Sequence, residues 1–246
     1  MLTLKMNQFK HWLQNHPNPN YRRLFIHLKA VRSFELPTPK AFNKTMYYCH
    51  QLVTSLWNST TRLLVHTPAF KGRLNQYGKN VYIYGGVPLV TGPLTINLGS
   101  DCRISGQTTF SGRSASLSPI LEIGNNVGIG WQTTIAVGRK VIIEDNVRIA
   151  GKAFLFGYSG HPLDAKKRAL GLPDEESQVG DIILRKDVWL GSNVTVKGGV
   201  TIGEGTIIAA GSVVTRSLPS FVIAAGNPAK VVRSLESTTT LLKAQA

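Results

Sequence analysis

The sequence predicts an all-β solenoid of the parallel β-helix type, with an N-terminal α-helical region and a short C-terminal tail. Three observations carry this. Leu184, Leu190, Val196, Ile202, Ile208 and Val214 stand six residues apart without a break. Ile123, Ile129 and Ile135 keep the same step, and Val137, Ile143, Ile149 and Leu155 resume it after a shift of two. From Val81 onward, Val, Ile, Thr and Gly replace helix-favouring runs. Repetition at a short fixed period marks a coil in which each hexad supplies one flat strand and one corner. Chance spacing in a β-sandwich would not sustain five consecutive steps.

Residues 1–75 read as a basic helical region. Asn20 is expected to cap a helix through Tyr21, Leu24, Phe25, Leu28 and Val31. Glu35-Leu-Pro-Thr-Pro ends it, because proline removes a donor and restricts its neighbour. A second helix is expected from about Pro39 to Val65. Its stripe is Phe42, Met46, Cys49, Val53, Leu56, Trp57 and Leu64. Such a stripe is more often core or interface than membrane face. Lys40, Lys44 and Arg62 lie nearby and strengthen the membrane-surface reading.

Residues 76–233 form the coil. Leu98, Ile104 and Phe110 already keep the six-residue step, and Ser111–Ser118 interrupts it. The aliphatic residue of each hexad points inward. Val188, Val194, Val200, Thr206 and Ser212, four places later, fit the tight corner. Gly124, Gly130, Gly191 and Gly203 follow the aliphatic and are expected to permit backbone shapes that a Cβ resists. A solenoid contacts mainly its own neighbours and needs caps at both ends. Residues 234–246 read as a tail.

Charge is unevenly spread. The chain of 246 residues carries a net charge of +15. Residues 1–80 hold 12 Lys/Arg against one acid, Glu35, so the basicity belongs to the N-terminal part. Such a segment is attracted to polyanions, whether nucleic acid or an anionic bilayer. No RNA- or DNA-binding motif is present, and nucleic acid is not expected as a partner. No run of about 18 apolar residues occurs, so no membrane span is expected. The opening residues MLTLKMNQFK lack the apolar core of a signal peptide. Cys49 and Cys102 form no metal or disulfide pattern and read as free thiols in a reducing compartment. A cytoplasmic location is expected, compatible with association with the inner face of the cytoplasmic membrane.

One histidine stands between the two hexad runs, in Gly160-His-Pro-Leu-Asp164, and no other follows His66. Taken alone, a loop histidine is more often simply satisfied by hydrogen bonds. A zinc lyase of the γ-carbonic-anhydrase kind needs three histidine ligands, so that chemistry is excluded and no metal is expected. No Gly-x-Ser-x-Gly elbow occurs.

The motif set resembles the hexapeptide-repeat acyltransferases, and most closely their galactoside and maltose O-acetyltransferase branch. The matching elements are Gly-His-Pro-Leu-Asp at 160–164, Val188-Trp-Leu-Gly-Ser192 and Gly198-Gly-Val-Thr-Ile-Gly203. Ala209-Ala-Gly-Ser-Val-Val-Thr-Arg216 and Ala224-Ala-Gly-Asn-Pro-Ala-Lys-Val-Val-Arg233 complete the set. The order and spacing agree over roughly residues 120–233. The resemblance implies a left-handed triangular coil with three hexads to a turn. It implies a homotrimer with active sites in the clefts between subunits, and acetyl-CoA or a similar acyl-CoA as donor. A loop over residues 158–181 would project beside the next subunit.

Within that resemblance His161 is the general base. An alcohol is a poor nucleophile at neutral pH, and imidazole has the right pKa to take its proton during attack. The backbone amide of Ser192 is a candidate oxyanion donor. Asp164 and a backbone carbonyl are equal candidates to orient the imidazole. Ser192, Ala210, Thr215, Arg216, Lys230 and Arg233 would line the CoA groove, with the three cations on phosphates. Trp189, beside the inward Leu190, should face outward onto ligand or neighbour.

The acceptor side departs from the family. The stretch Trp131–Gly138 lacks the polar acceptor residues of galactoside enzymes. Three functions therefore stand side by side. The first is an O-acetyltransferase acting on a sugar hydroxyl in cell-envelope polysaccharide biosynthesis. The second acts on a small free sugar, amino sugar or antibiotic. The third is a non-catalytic β-helix scaffold or binding protein.

Overall fold

The computed structural model describes residues 2–235, with side chains from residue 4 onward. The chain divides into two compact units, Met1–Thr54 and Ser55–Ala246. The expected tail lies outside the described residues except for Ser234 and Leu235.

The first unit is helical. Helix α1 spans Leu2–Asn15, α2 spans Pro19–Arg32, and α3 begins at Lys40 and runs to Thr61. The cap of α2 is Asn18, not Asn20. Its side chain accepts from the Asn20 amide at 2.9 Å, and Pro19 takes the first helical position. A proline there loses no hydrogen bond, because that donor has no partner in a helix. The second expected helix runs past Val65: after Thr61 it widens into a π-helical turn, Arg62–His66, and continues without a break into α4, Thr67–Lys71. Leu13 is buried in this unit, while Leu4, Met6, Phe9, Trp12, Leu28 and Val31 are exposed. No described helix is long and apolar enough to cross a membrane.

The second unit contains a left-handed parallel β-helix of about 7 turns. Its first face stacks the strands at 76–77, 95–98, 120–123, 140–143, 182–184 and 200–202. The second face runs from Tyr82–Tyr84 through 103–105, 128–129, 148–149, 189–190 and 207–208 to Val222–Gly226. The third stacks 89–91, 109–112, 134–137, 154–156, 195–197 and 213–214. All pairings are parallel except the last, where Ala229–Ser234 folds back on Val222–Gly226 and closes the second face.

Burial explains the period. Leu184, Leu190, Val196, Ile202, Ile208 and Val214 are all fully enclosed, as are Val188, Val194 and Thr206. In-register pairing stacks each aliphatic on its equivalent, so Ile129, Ile149, Leu190 and Ile208 form one column. Each such side chain contributes about 1.5–3 kcal/mol of burial.

The corners are made differently from expectation. Asn80, Asp101, Asn126, Asn146 and Asp187 hold one corner of successive turns with positive φ between 53° and 62°. Asn and Asp tolerate this left-handed conformation better than other side chains bearing a Cβ. Their side chains also ladder: Asn126 donates to Asn146 and Asn146 to Asp187, each at 2.8 Å. Gly124, Gly130, Gly191 and Gly203 do not have positive φ. They are small because the next turn is close. A Cβ on Gly191 would lie 2.7 Å from the Ala210 nitrogen, and one on Gly203 would lie 2.3 Å from that of Ser220.

Candidate active site

The third face ends a strand at Phe156, and the chain leaves the coil there before returning at Ile182. The excursion carries His161. It is an ordered loop held by three devices.

The first device is a buried ion pair. Arg113 emerges from the interruption after strand Thr109–Gly112, where sequence periodicity fails. Its Nε donates to Asp174 Oδ1 at 2.9 Å, and its NH2 donates to the Asp174 carbonyl at 2.7 Å. Its NH1 donates to Glu176 and to Ser116. Arg113 and Asp174 are 3% and 5% exposed, so this pair is part of the packed interior. Burial works against the guanidinium charge, but hydrogen bonds to Asp174 and Glu176 outweigh it and hold its pKa above the usual value.

The second device is helix α5, Ala165–Ala169. Asp164 caps it, accepting from the Lys166 and Lys167 amides at 2.7 and 2.9 Å. Those backbone hydrogen bonds hold the Asp164 carboxyl below the usual carboxylate range. Asp164, one of the two candidates for orienting the imidazole, is thus engaged through Oδ1 as a helix cap. The third device is local. Gln178 Nε2 donates to the His161 carbonyl at 3.0 Å and to Ser159 Oγ at 2.7 Å, and Ser159 Oγ donates to the same carbonyl at 2.9 Å. The loop thus fixes the His161 backbone. No hydrogen bond engages its imidazole among the described residues, and the residue is exposed.

The other expected site residues lie at separate places on one protomer. Ser192 and Ala210 occupy the corner between the second and third faces, one turn apart. The Gly211 amide donates to the Ser192 carbonyl at 2.9 Å. Thr215 and Arg216 follow the last strand of the third face, at the corner from which the His161 loop departs two turns earlier in the stack. Lys230 and Arg233 stand on the closing strand of the second face. All six are exposed. Trp189 faces outward and is 52% exposed, as expected from its place beside Leu190. Its strand partners are Arg148 and Ile207. Among the described residues no group of three His, Cys, Asp or Glu side chains is placed to hold a metal.

Sequence reasoning missed Arg113, Asp174 and Gln178. Arg113 and Asp174 are 61 residues apart and belong to no repeat, so no local signal joins them.

Fold and loop together define a parallel β-helix built on six-residue steps and carrying one histidine-bearing excursion. Residues 181–216 match the family profile described as bacterial transferase hexapeptide (six repeats). The chain is 38% identical over 115 residues to the galactoside O-acetyltransferase of Escherichia coli K12, covering 47% of this chain and 54% of that protein. It is 42% identical over 120 residues to the polysialic acid O-acetyltransferase of Escherichia coli O1:K1, covering 45% and 37%. In structure it is similar to AntD, an N-acyltransferase from Bacillus cereus, in complex with dTDP and 3-hydroxybutyryl-CoA. That likeness has a TM-score of 0.56 at 20% identity and covers 73% of this chain and 93% of that one. The chain therefore spans less than two thirds of the length of these curated relatives. The resemblance read from the motifs, to hexapeptide-repeat acyltransferases and their galactoside O-acetyltransferase branch, agrees with these matches.

Proposed function

We propose that this protein is a CoA-dependent O-acetyltransferase acting on a sugar hydroxyl, with His161 as general base. The observation that carries the reading is the position of His161. It is exposed on a loop whose backbone is pinned by Gln178, Ser159 and the buried Arg113–Asp174 pair. A pinned backbone with a free imidazole suits a group that must meet a substrate and exchange a proton. The relatives' names, galactoside and polysialic acid O-acetyltransferase, support sugar acceptors.

In the proposed reaction the acceptor oxygen attacks the thioester carbonyl carbon while the His161 imidazole takes the hydroxyl proton. The tetrahedral intermediate then collapses, the carbon–sulfur bond breaks, and CoA leaves as the thiol with that proton. The Ser192 amide is the proposed donor to the oxyanion. Exposed Arg216, Lys230 and Arg233 form no ion pair among the described residues, which suits them to CoA phosphates. Trp189 offers an indole face to the pantetheine arm or a neighbour. Because these groups are spread over two corners and one face, the reading includes a homotrimer in which a furrow between subunits gathers them.

The proposal extends to cell-envelope polysaccharide synthesis at the inner face of the cytoplasmic membrane, a reading that the first unit supports. Met6, Phe9, Leu13, Phe25 and Leu28 line a depression of about 730 Å³ together with Lys10, Lys29 and Arg32. Apolar surface edged by cations suits an anionic bilayer.

The test is thioester consumption with acetyl-CoA and sugar acceptors. His161→Ala should lower turnover by about 10²–10⁴-fold. Unchanged turnover in the variant rejects the base assignment.

A further inference from the structure

The second face of the coil carries a depression of about 260 Å³ that none of the roles above uses in full. Tyr84, Arg103, Gly128, Arg148, Ala150 and Trp189 are among the residues lining it. The strand register explains how it forms. Arg103 pairs with Gly128, Gly128 with Arg148, and Arg148 with Trp189, so the four make one outward column. Neighbouring strands lie about 4.8 Å apart, which separates the two arginine rungs by roughly 10 Å. The glycine between them leaves a notch. A Cβ there would meet only the Arg148 side chain, at 3.3 Å, so nothing in the backbone packing demands glycine at Gly128.

Tyr84 and Trp189 wall the notch, and Trp131 backs Tyr84 from outside it. Tyr84 meets Trp131 edge-on with centroids 5.7 Å apart. Gly85, with φ of +74°, makes room for that indole, since a Cβ would lie 2.9 Å from it. Trp131 and Trp189 are each about half exposed. Both guanidinium groups are held in place without being neutralised. Arg103 lies over the Tyr84 and Tyr82 rings at 4.9 and 5.5 Å. Arg148 donates to the Asn126 carbonyl and to Asn126 Oδ1. Neither makes an ion pair among the described residues. Arg62 adds a third cation over Tyr82, at 4.6 Å.

We propose that this depression binds an anionic saccharide, with its ring against Trp189 and Tyr84 and its oxyanion on Arg103 and Arg148. Sugar rings present C–H faces that pack on aromatic π-faces. Guanidinium groups take carboxylate or phosphate with charge-assisted hydrogen bonds. The inference rests on the proposed acyl transfer in one respect: it names the acceptor class as acidic.

The test is calorimetric binding to the full chain without CoA. The probes are a hexuronate oligosaccharide, its carboxyl-reduced neutral counterpart, and UDP-glucose as a phosphate-bearing sugar. At least one anionic probe should bind, and whichever binds identifies carboxylate or phosphate as the anion. The neutral oligosaccharide should bind about tenfold more weakly or worse. Arg103→Gln should weaken the anionic probe by a similar factor. Gly128→Thr, which fills the notch and keeps both charges, should do the same while thermal unfolding stays unchanged. The site is rejected by equal binding of charged and neutral probes, by no binding of either anion, or by indifference to both substitutions. Displacement of the saccharide by coenzyme A would assign the depression to the donor and also reject it. Loss of turnover in His161→Ala does not bear on this binding, so the two readings fail separately.

Discussion

Replacing Arg113 by Met keeps the volume of a buried side chain and deletes its charge. Asp174 would then sit 5% exposed with no cation, and its Oδ2 has no partner even in the native protein. Leaving one member of a buried pair alone costs about 3–5 kcal/mol when the site cannot relax. Here it can relax. Asp174 lies on an excursion from the coil, so releasing residues 158–181 returns the carboxylate to water. The cost is therefore capped at the docking energy of the loop, about 2–3 kcal/mol for two hydrogen bonds between Arg113 and Asp174 and one to exposed Glu176. Lys166, Lys167 and Arg168 on α5 are trypsin sites within the loop. Cleavage there follows local opening, so its rate should rise about 30- to 150-fold in Arg113→Met. The melting of the coil should move little, because the hexad core is untouched. An unchanged cleavage rate would show that the pair does not hold the loop. A cooperative loss of the whole coil would show that the loop is not a separate unit.

Three further outcomes follow. Gly191→Ala should destabilise the coil by about 1–3 kcal/mol, since its Cβ meets the Ala210 nitrogen, whereas Gly211→Ala meets nothing and costs only the strain of its φ of +72°; denaturant unfolding should rank them in that order. Asp164 has a folded pKa below its unfolded value of about 3.8, so its stabilisation of α5 is full above that value and is lost as pH falls through the folded pKa. Exchange of the Lys166 and Lys167 amides, corrected for intrinsic rate, should therefore rise at acid pH and lose that dependence in Asp164→Ala. Vesicles containing anionic lipid should pellet the full chain, and reversing Lys10, Lys29 and Arg32 to Glu should abolish it; equal pelleting would remove the first unit from membrane contact.

The sequence made the coil legible because its period is written by residues that are all buried alike. Leu184 to Val214 needed no tertiary knowledge, since each repeat meets only its neighbours. The corners were legible in kind but not in cause. Asn126, Asn146 and Asp187 carry the left-handed turns, while Gly191 and Gly203, expected there to permit backbone shapes that a Cβ resists, are crowded by the next turn instead. The cap of α2 shifted by two residues because two asparagines compete at that start, and Pro19 selects the first. His161 stood out as the one interruption bearing an able side chain. What fixes it did not. Arg113 lies in the stretch where the repeat fails, and its partner Asp174 lies in the other excursion, so their pairing joins the two irregular parts of the chain.

Base catalysis by His161 requires an acyl-CoA thioester beside its imidazole. A crystal structure with coenzyme A bound decides it. The pantetheine thiol should lie within about 4 Å of the His161 imidazole, in a furrow between two copies of the coil. Coenzyme A bound far from His161, or wholly on one protomer, would contradict it.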